Sequence, residues 1–169
     1  KQSFGGSFSH YVPLPLPMTI GTLSAYMDAN GCPSKIYDEE LEPINFHNIK
    51  RIVEGLPKPY VFGISILTSQ ASRAYELAKL LKEACPDCII ITGGFHPTAL
   101  PEEGLNTGDI DFVVRGEGER ILLELYEAIR NGVKDFSEIK GICFKEGGRV
   151  VSTPDAPLIA DLNTLPLFP

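Results

Sequence analysis

The sequence has few cysteines, fewer basic than acidic residues and no long apolar run. Its 4 cysteines in 169 residues are too few for a secreted disulfide scaffold, which favours a reducing, cytoplasmic compartment. The 15 Lys and Arg residues against 22 Asp and Glu give a net charge of -7, so neither nucleic acid nor an anionic membrane is expected as the main partner. Apolar stretches such as residues 88–91 are far too short to span a bilayer, and the N-terminal residues lack the pattern of a signal peptide.

The overall composition is that of an ordinary globular protein. Hydrophobic residues make up 43% and charged residues 22% of the chain, which excludes a disordered or coiled-coil chain. The length fits one domain, which we place at residues 1–153, followed by a proline-rich extended linker at residues 154–169. The absence of an initial Met indicates a fragment of a longer protein.

Apolar periodicity predicts helices that alternate with short strands. Helices are predicted over residues 18–30, 46–54, 98–105 and 117–130, and a further one runs to about residue 84 from a cap at Ser69 or Ser72. Continuous apolar runs predict strands buried on both faces at residues 60–67, 88–92 and 111–115, and residues 35–38 are a shorter candidate. Runs at residues 141–145 and 149–153, joined through Gly147-Gly148, predict a β-hairpin.

This alternation predicts an α/β fold. Strands separated by helices form a parallel sheet with helices on both faces, a flavodoxin- or Rossmann-like doubly wound arrangement, here closed by a C-terminal hairpin. The first strand of such a sheet is not evident. Either residues 8–12 are a truncated version of it, or it precedes Lys1.

Small, polar and glycine-rich residues follow each of the three predicted parallel strands. They are Ser65, Thr68 and Ser69 after the first, Gly93 and Gly94 after the second, and Gly116 and Glu117 after the third. Ligands of open parallel sheets bind beyond the carboxyl ends of the strands. The coincidence therefore favours a ligand crevice over ordinary tight turns.

These turns do not have the sequence of a phosphate site. No Gly-x-Gly-x-x-Gly follows a first strand, and no Walker lysine is present. Glu117, between Gly116 and Gly118, would repel a pyrophosphate. Dinucleotides and nucleoside triphosphates are therefore poor candidates for the ligand.

Five pieces of the sequence, taken together, carry a family resemblance. They are GISILT at residues 63–68, KEACPD at 82–87, IITGGFHPTALPEE at 90–103, DFVVRGEGE at 111–119 and DLNTLPLFP at 161–169. Over residues 12–169 the chain resembles the N-terminal cobalamin (B12)-binding domain of B12-dependent radical SAM enzymes. The resemblance implies cobalamin in this domain, and a [4Fe-4S] cluster and S-adenosylmethionine in a covalently linked radical SAM domain downstream.

The resemblance also implies roles for individual residues. The corrin would lie over the strand ends, with its nucleotide tail between the sheet and the helices. Gly93 and Gly94 would let that tail pass close to the backbone, and Ser65 would hydrogen-bond the benzimidazole. The remaining residues of the predicted cofactor site are Leu67, Thr68, His96, Gly116 and Glu117. His96 is equally compatible with contact to the corrin or the neighbouring domain and with a loop histidine that caps the next helix with Thr98.

The cobalt ligand of other B12 domains has no counterpart here. Methionine synthase-like domains carry Asp-x-His-x-x-Gly, which this chain lacks. The corresponding loop spans residues 5–17, where His10 is the one candidate for a lower cobalt ligand; loop packing or solvent exposure is the alternative role. The resemblance implies that radical SAM relatives usually displace the base without a histidine.

Two further clusters are interpreted as structural. Cys85 and Cys88 form a Cys-x2-Cys without a second pair at zinc spacing, so a structural helix-to-strand turn is favoured over a metal site. Arg115 could pair with Glu117 or Glu119, and either glutamate could cap the following helix.

The function implied by the resemblance is that of one domain in a larger enzyme. The fragment has no nucleophile–base arrangement and would bind without catalysing. The full-length protein would transfer a methyl group from methylcobalamin to a small-molecule substrate, although some relatives form rings or rearrange their substrates instead. The alternative is a degenerate domain that has lost the cofactor and acts as a substrate-gating or docking module. A flavodoxin-like receiver is disfavoured because the acidic pair and lysine of phosphoryl transfer are missing.

Overall fold

A five-stranded sheet organises the domain. The computed structural model describes residues 18–39 and 41–166. Along the sheet, the strands lie in chain order: β1 (Val61–Ser65), β2 (Ile89–Gly93), β3 (Phe112–Val114), β4 (Ile142–Glu146) and β5 (Arg149–Ser152). The first three are parallel, whereas β4 and β5 are added antiparallel as a hairpin. The predicted α/β fold with its C-terminal hairpin is confirmed.

Helices cover both faces of this sheet. They are α1 (Met18–Ala29), α2 (Phe46–Glu54), α3 (Ala71–Ala84), α4 (Phe95–Ala99), α5 (Pro101–Thr107) and α6 (Gly118–Arg130). Ile90 of β2 packs in one core cluster with Leu77 of α3, and its neighbour Ile91 packs in a second cluster with Leu125 of α6. Alternate strand residues point to opposite faces, so one strand builds two cores. None of the described helices is long and apolar enough to cross a membrane.

Local sequence explains where several elements begin and end. Asn45 caps α2, because its side chain accepts hydrogen bonds from the backbone N–H groups of His47 and Asn48. The helix predicted at 98–105 is two helices, α4 and α5, separated at Leu100. Pro101 causes this break, since it disfavours helical backbone in the residue before it and then starts α5 at its first position. Both residues of the predicted hairpin turn have positive φ, 55° at Gly147 and 80° at Gly148.

Three sequence predictions are wrong in detail. Residues 35–38 form no strand. Ser69 and Ser72 do not cap α3; a 3-10 turn at Thr68–Gln70 leads into the helix without a side-chain cap. β1 is not buried on both faces, because Gly63 and Ser65 are exposed. Within the described residues β1 pairs with β2 alone, so it lies at an edge of the sheet. The possible strand at residues 8–12 lies outside the described residues.

Residues 154–166 follow the hairpin. Residues 154–161 have no helix or strand, and a 3-10 turn follows at Leu162–Thr164. Gly141 donates its backbone N–H to the Pro154 carbonyl at 2.8 Å. The side chain of Ile159 is buried. Within residues 154–159, Pro154 and Ile159 contact the domain, whereas the side chains of Asp155, Pro157 and Leu158 are exposed.

Candidate functional site

The three glycine- and hydroxyl-rich turns meet at one edge of the sheet. We call this the strand-end edge, comprising residues 65–69, 93–98 and 115–119. The Ile66 N–H donates to the Gly93 carbonyl at 2.8 Å, and the Gly116 N–H donates to Thr98 Oγ1 at 3.2 Å. The turns after β1, β2 and β3 are thus joined to one another. The predicted residues Ser65, Leu67, Thr68, Gly93, Gly94, Gly116 and Glu117 all lie on this edge.

Gly94 and Gly116 of this edge differ in what surrounds the position of a side chain. Gly94 has φ of 100°, and a Cβ there would lie 2.9 Å from the carbonyl oxygen of Ile66. Glycine is therefore required by the approach of the chain's own backbone, which the sequence analysis attributed to a ligand. Gly116 has φ of 77°, and no atom of the described residues lies within 4 Å of an added Cβ, so the space beside it is open in that part of the chain.

Three hydroxyl groups at or next to this edge have no hydrogen-bond partner among the described residues. The exposed Ser65 and Thr68 side chains form no hydrogen bond with any described residue. Thr92, at the end of β2, is 1% exposed, and its Oγ1 has no hydrogen-bond partner among the described residues. It shares a sheet face with Ile90 and therefore faces the side of α3. A buried hydroxyl without a partner costs free energy, and such groups are rare.

Sequence reasoning missed Thr92. The available signal was one hydroxyl residue at the end of the apolar run of residues 88–92, directly before Gly93-Gly94.

His96 is turned into the domain. Its side chain is 6% exposed, and its Nε2 lies 3.1 Å from the Tyr75 hydroxyl and 3.4 Å from Glu103 Oε1. Burial, followed by the nearby charge of Glu103, raises the pKa of Tyr75 to about 12. The expectation that His96 caps a helix is wrong, since neither α4 nor α5 has a side-chain cap. Its contact with the corrin stays a prediction.

The charged residues after β3 hold the C-terminal residues. Arg115 donates from Nη1 to Asp155 Oδ1 at 2.6 Å and from Nη2 to the Thr153 carbonyl at 2.5 Å. Glu117 accepts the Ile159 N–H through Oε2. We call these interactions the tail contact. Pairing of Arg115 with Glu117 or Glu119 is therefore wrong, and Glu117 stands at the N-cap position of α6 without a side-chain cap hydrogen bond.

Cys85 and Cys88 lie at the opposite end of β2. Both thiols are buried, at 6% and 2% exposure, in the cluster shared with α3. Burial is the largest cause that raises the pKa of Cys88 to about 12. The Cys88 side chain is therefore a neutral thiol at neutral pH, which suits a packing role more than the thiolate needed for metal binding.

The Cys88 thiol predicts an alkaline loss of stability. The pKa of the Cys88 thiol is raised from 9.0 to about 12 in the folded chain. Its contribution to the free energy of unfolding is therefore fully present below about pH 9. That contribution is lost as the pH rises toward 12, because the unfolded state ionises first; Tyr75 acts in the same direction. Urea denaturation at about pH 8 and about pH 10 should show a smaller decrease for Cys88→Ala than for the unsubstituted chain. An identical decrease in both would contradict the assignment to Cys88.

Comparison with known proteins identifies the family. The model of the B12 binding domain matches residues 14–126. The chain belongs to the B12-binding domain family. An uncharacterized methyltransferase of Pyrococcus horikoshii is 35% identical over 134 residues, covering 79% of this chain and 29% of that protein. The anaerobic magnesium-protoporphyrin IX monomethyl ester cyclase of Rubrivivax gelatinosus is 30% identical over 154 residues, covering 88% of this chain and 28% of that protein.

Solved structures share the fold. The cobalamin-dependent S-adenosylmethionine radical enzyme OxsB, with aqua-cobalamin and S-adenosylmethionine bound, has a TM-score of 0.73 at 22% identity. The match covers 90% of this B12-binding chain and 21% of the OxsB chain. TsrM from Kitasatospora setae, with cobalamin and a [4Fe-4S] cluster bound, has a TM-score of 0.72 at 18% identity. The match covers 92% of this chain and 29% of the TsrM chain. The B12-binding domain thus spans less than a third of each of these relatives.

The residues of the strand-end edge fit a corrinoid. In the part of the chain that the structure describes, this edge is an open surface, with Leu67 48% exposed. Thr92, Ser65 and Thr68, whose hydroxyls have no hydrogen-bond partner among the described residues, and the open space at Gly116 offer polar contacts and room for the nucleotide tail of cobalamin. His10, the candidate cobalt ligand, lies outside the described residues, and the Nε2 of His96 is already hydrogen-bonded.

Proposed function

We propose that this B12-binding domain holds cobalamin at the strand-end edge within a longer cytoplasmic radical SAM enzyme. The rest of that enzyme, covalently linked to this domain, would bind the [4Fe-4S] cluster, S-adenosylmethionine and a small-molecule substrate. Methyl transfer is the reaction that we propose, because the relatives include proteins named as methyltransferases. Cobalamin, when bound, supplies a carrier for the methyl group.

The unpartnered hydroxyl of Thr92 is the observation that carries this proposal. It is buried at the end of β2, where the fold places ligands, and it has no hydrogen-bond partner in the described chain. Thr68 and Ser65, whose side chain points to the sheet face opposite Thr92, would add hydroxyl donors or acceptors at the same edge, and Leu67 an apolar contact. Gly94 would keep the turns after β1 and β2 together, and Gly116 would leave room beside the edge, whereas the space beside Gly93 is occupied by Val114. His96 and Glu117 would act indirectly, by fixing the turns to which they belong.

Retention of cobalamin tests the proposal. The 169-residue chain is mixed with hydroxocobalamin, desalted and examined by visible absorption spectroscopy. We expect the corrin absorbance to co-elute with the protein at one cobalamin per chain. A chain that elutes folded, by far-UV circular dichroism, but free of corrin would contradict the proposal and favour the degenerate docking module.

Thr92→Val provides the matched variant. Valine has the shape of threonine without the hydroxyl, so the free energy of unfolding of the apo chain should stay equal or rise by about 1 kcal/mol. Cobalamin affinity should decrease, because the buried partner is lost. Equal affinity in the two chains would remove Thr92 from the proposed site.

A further inference from the structure

The strand-end edge exposes a phenylalanine that the site residues considered above do not include. Phe95, directly after Gly94, is 80% exposed, whereas the five other phenylalanines of the described residues are buried or half-buried. Leu67, after β1, is 48% exposed. Large exposed apolar side chains grouped at one place mark interaction sites more often than they mark ordinary surface.

The exposure of Phe95 is imposed by its neighbours. The Gly94 turn is packed against the Ile66 backbone, and the His96 N–H donates to the Ile66 carbonyl at 3.2 Å. The ring of His96 is buried against Tyr75 and Glu103. The residues on both sides of Phe95 are therefore packed and hydrogen-bonded, and the ring of Phe95 between them lies at the surface.

Phe95 and Leu67 lie on adjoining turns. Ile66, which precedes Leu67, bonds to Gly93 and to His96, on either side of the Gly94-Phe95 step. The two exposed apolar side chains are thus on turns whose backbones are hydrogen-bonded to each other, and the turn of Leu67 also carries the Ser65 and Thr68 hydroxyls, which have no hydrogen-bond partner among the described residues. An apolar pair flanked by hydroxyls matches a ligand that is flat and partly apolar and carries amide groups on its periphery.

We propose that Phe95, together with Leu67, forms the apolar contact surface for the corrin ring of cobalamin. This inference rests on the proposed function and extends it to a residue that positions the cofactor. Burial of the Phe95 ring under the cofactor removes its apolar area from water, which favours binding. The hydroxyls beside it satisfy polar groups at the ring's periphery.

Phe95→Ala tests this contact. Because the ring is exposed in the apo chain, its loss should leave urea denaturation unchanged. The dissociation constant for hydroxocobalamin, measured by equilibrium dialysis, should rise about tenfold. Phe95→Leu, which keeps an apolar side chain, should recover part of that loss. Val133→Ala is the control, since Val133 is 40% exposed and lies beyond the C-terminal end of α6. The Val133→Ala chain should bind hydroxocobalamin as tightly as the unsubstituted chain.

A labelling experiment provides an independent readout. All four native cysteines are buried, so Phe95→Cys introduces one accessible thiol. Saturating cyanocobalamin should slow its alkylation by maleimide, and a cysteine introduced at Val133 should react equally fast with and without the cofactor.

The outcomes separate the two proposals. If the unsubstituted chain retains cobalamin while Phe95→Ala binds equally tightly and residue 95 is alkylated at the same rate, the Phe95 contact is overturned and the proposed function stands. The apolar pair would then be assigned to a surface for the rest of the polypeptide. If the unsubstituted chain retains no cobalamin, both proposals fall.

Discussion

Gly94→Ala is expected to lower the free energy of unfolding by about 3 kcal/mol. The residue has φ of 100°, a region that essentially only glycine occupies, and the new Cβ would lie 2.9 Å from the Ile66 oxygen and 3.1 Å from the Ile66 nitrogen. Both atoms belong to the backbone, so neither can rotate away. The hydrogen bonds that Ile66 forms to Gly93 and His96 should be disturbed as a result. Urea denaturation followed by circular dichroism measures the loss.

Gly132→Ala distinguishes the strain of a positive φ from the steric clash with Ile66. Gly132 has φ of 72° but no atom within 4 Å of an added Cβ, so this substitution carries backbone strain alone. We expect a loss of about 1 kcal/mol. Equal losses at the two positions would show that the approach of Ile66 contributes nothing and that the turns after β1 and β2 are not tightly joined.

Asp111→Ala is expected to cost about 2 to 3 kcal/mol of folding stability. One carboxylate oxygen of Asp111 accepts both the Ile90 N–H at 2.7 Å and Lys82 Nζ at 2.7 Å. Lys82 also donates to the Cys88 carbonyl at 2.6 Å. The substitution leaves a backbone donor of β2 and an ammonium group without this acceptor, at the end of the sheet opposite the strand-end edge.

Two further variants show whether the charge of Asp111 or its hydrogen bonds cause the loss of folding stability. Asp111→Asn keeps an acceptor for Ile90 but removes the charge, so its loss should be about half as large. Asp87→Ala is the control, because Asp87 is 83% exposed and lies 4.0 Å from Lys58; its effect should stay within about 0.5 kcal/mol. Cobalamin affinity should be unaffected in all three variants, and a parallel loss of affinity would contradict the separation of the two ends.

The sequence was sufficient to predict the fold because its signals are local and agree with one another. The apolar runs of β2 and β3, the helical spacing of α3 and α6, and the paired glycines of the hairpin each indicate one type of element. Their order along the chain then leaves a parallel sheet as the remaining solution. The meeting of the three turns at one edge follows from the same topology.

Other features depend on three-dimensional neighbours and could not be predicted in this way. β1 has the composition of a central strand, yet among the described residues it pairs only with β2, and its Gly63 and Ser65 are exposed. Arg115 was expected to bond to glutamates nearby in the sequence, whereas its partners Thr153 and Asp155 are some 40 residues away in the chain. Gly94 was singled out for a close approach, but the group that approaches it in the structure is the backbone of Ile66.

The tail contact has a mechanical consequence. Asp155 and Ile159 are anchored to Arg115 and Glu117, which flank Gly116 at the strand-end edge. A displacement of residues 155–159 would therefore also displace the loop around Gly116, because the two segments share these hydrogen bonds.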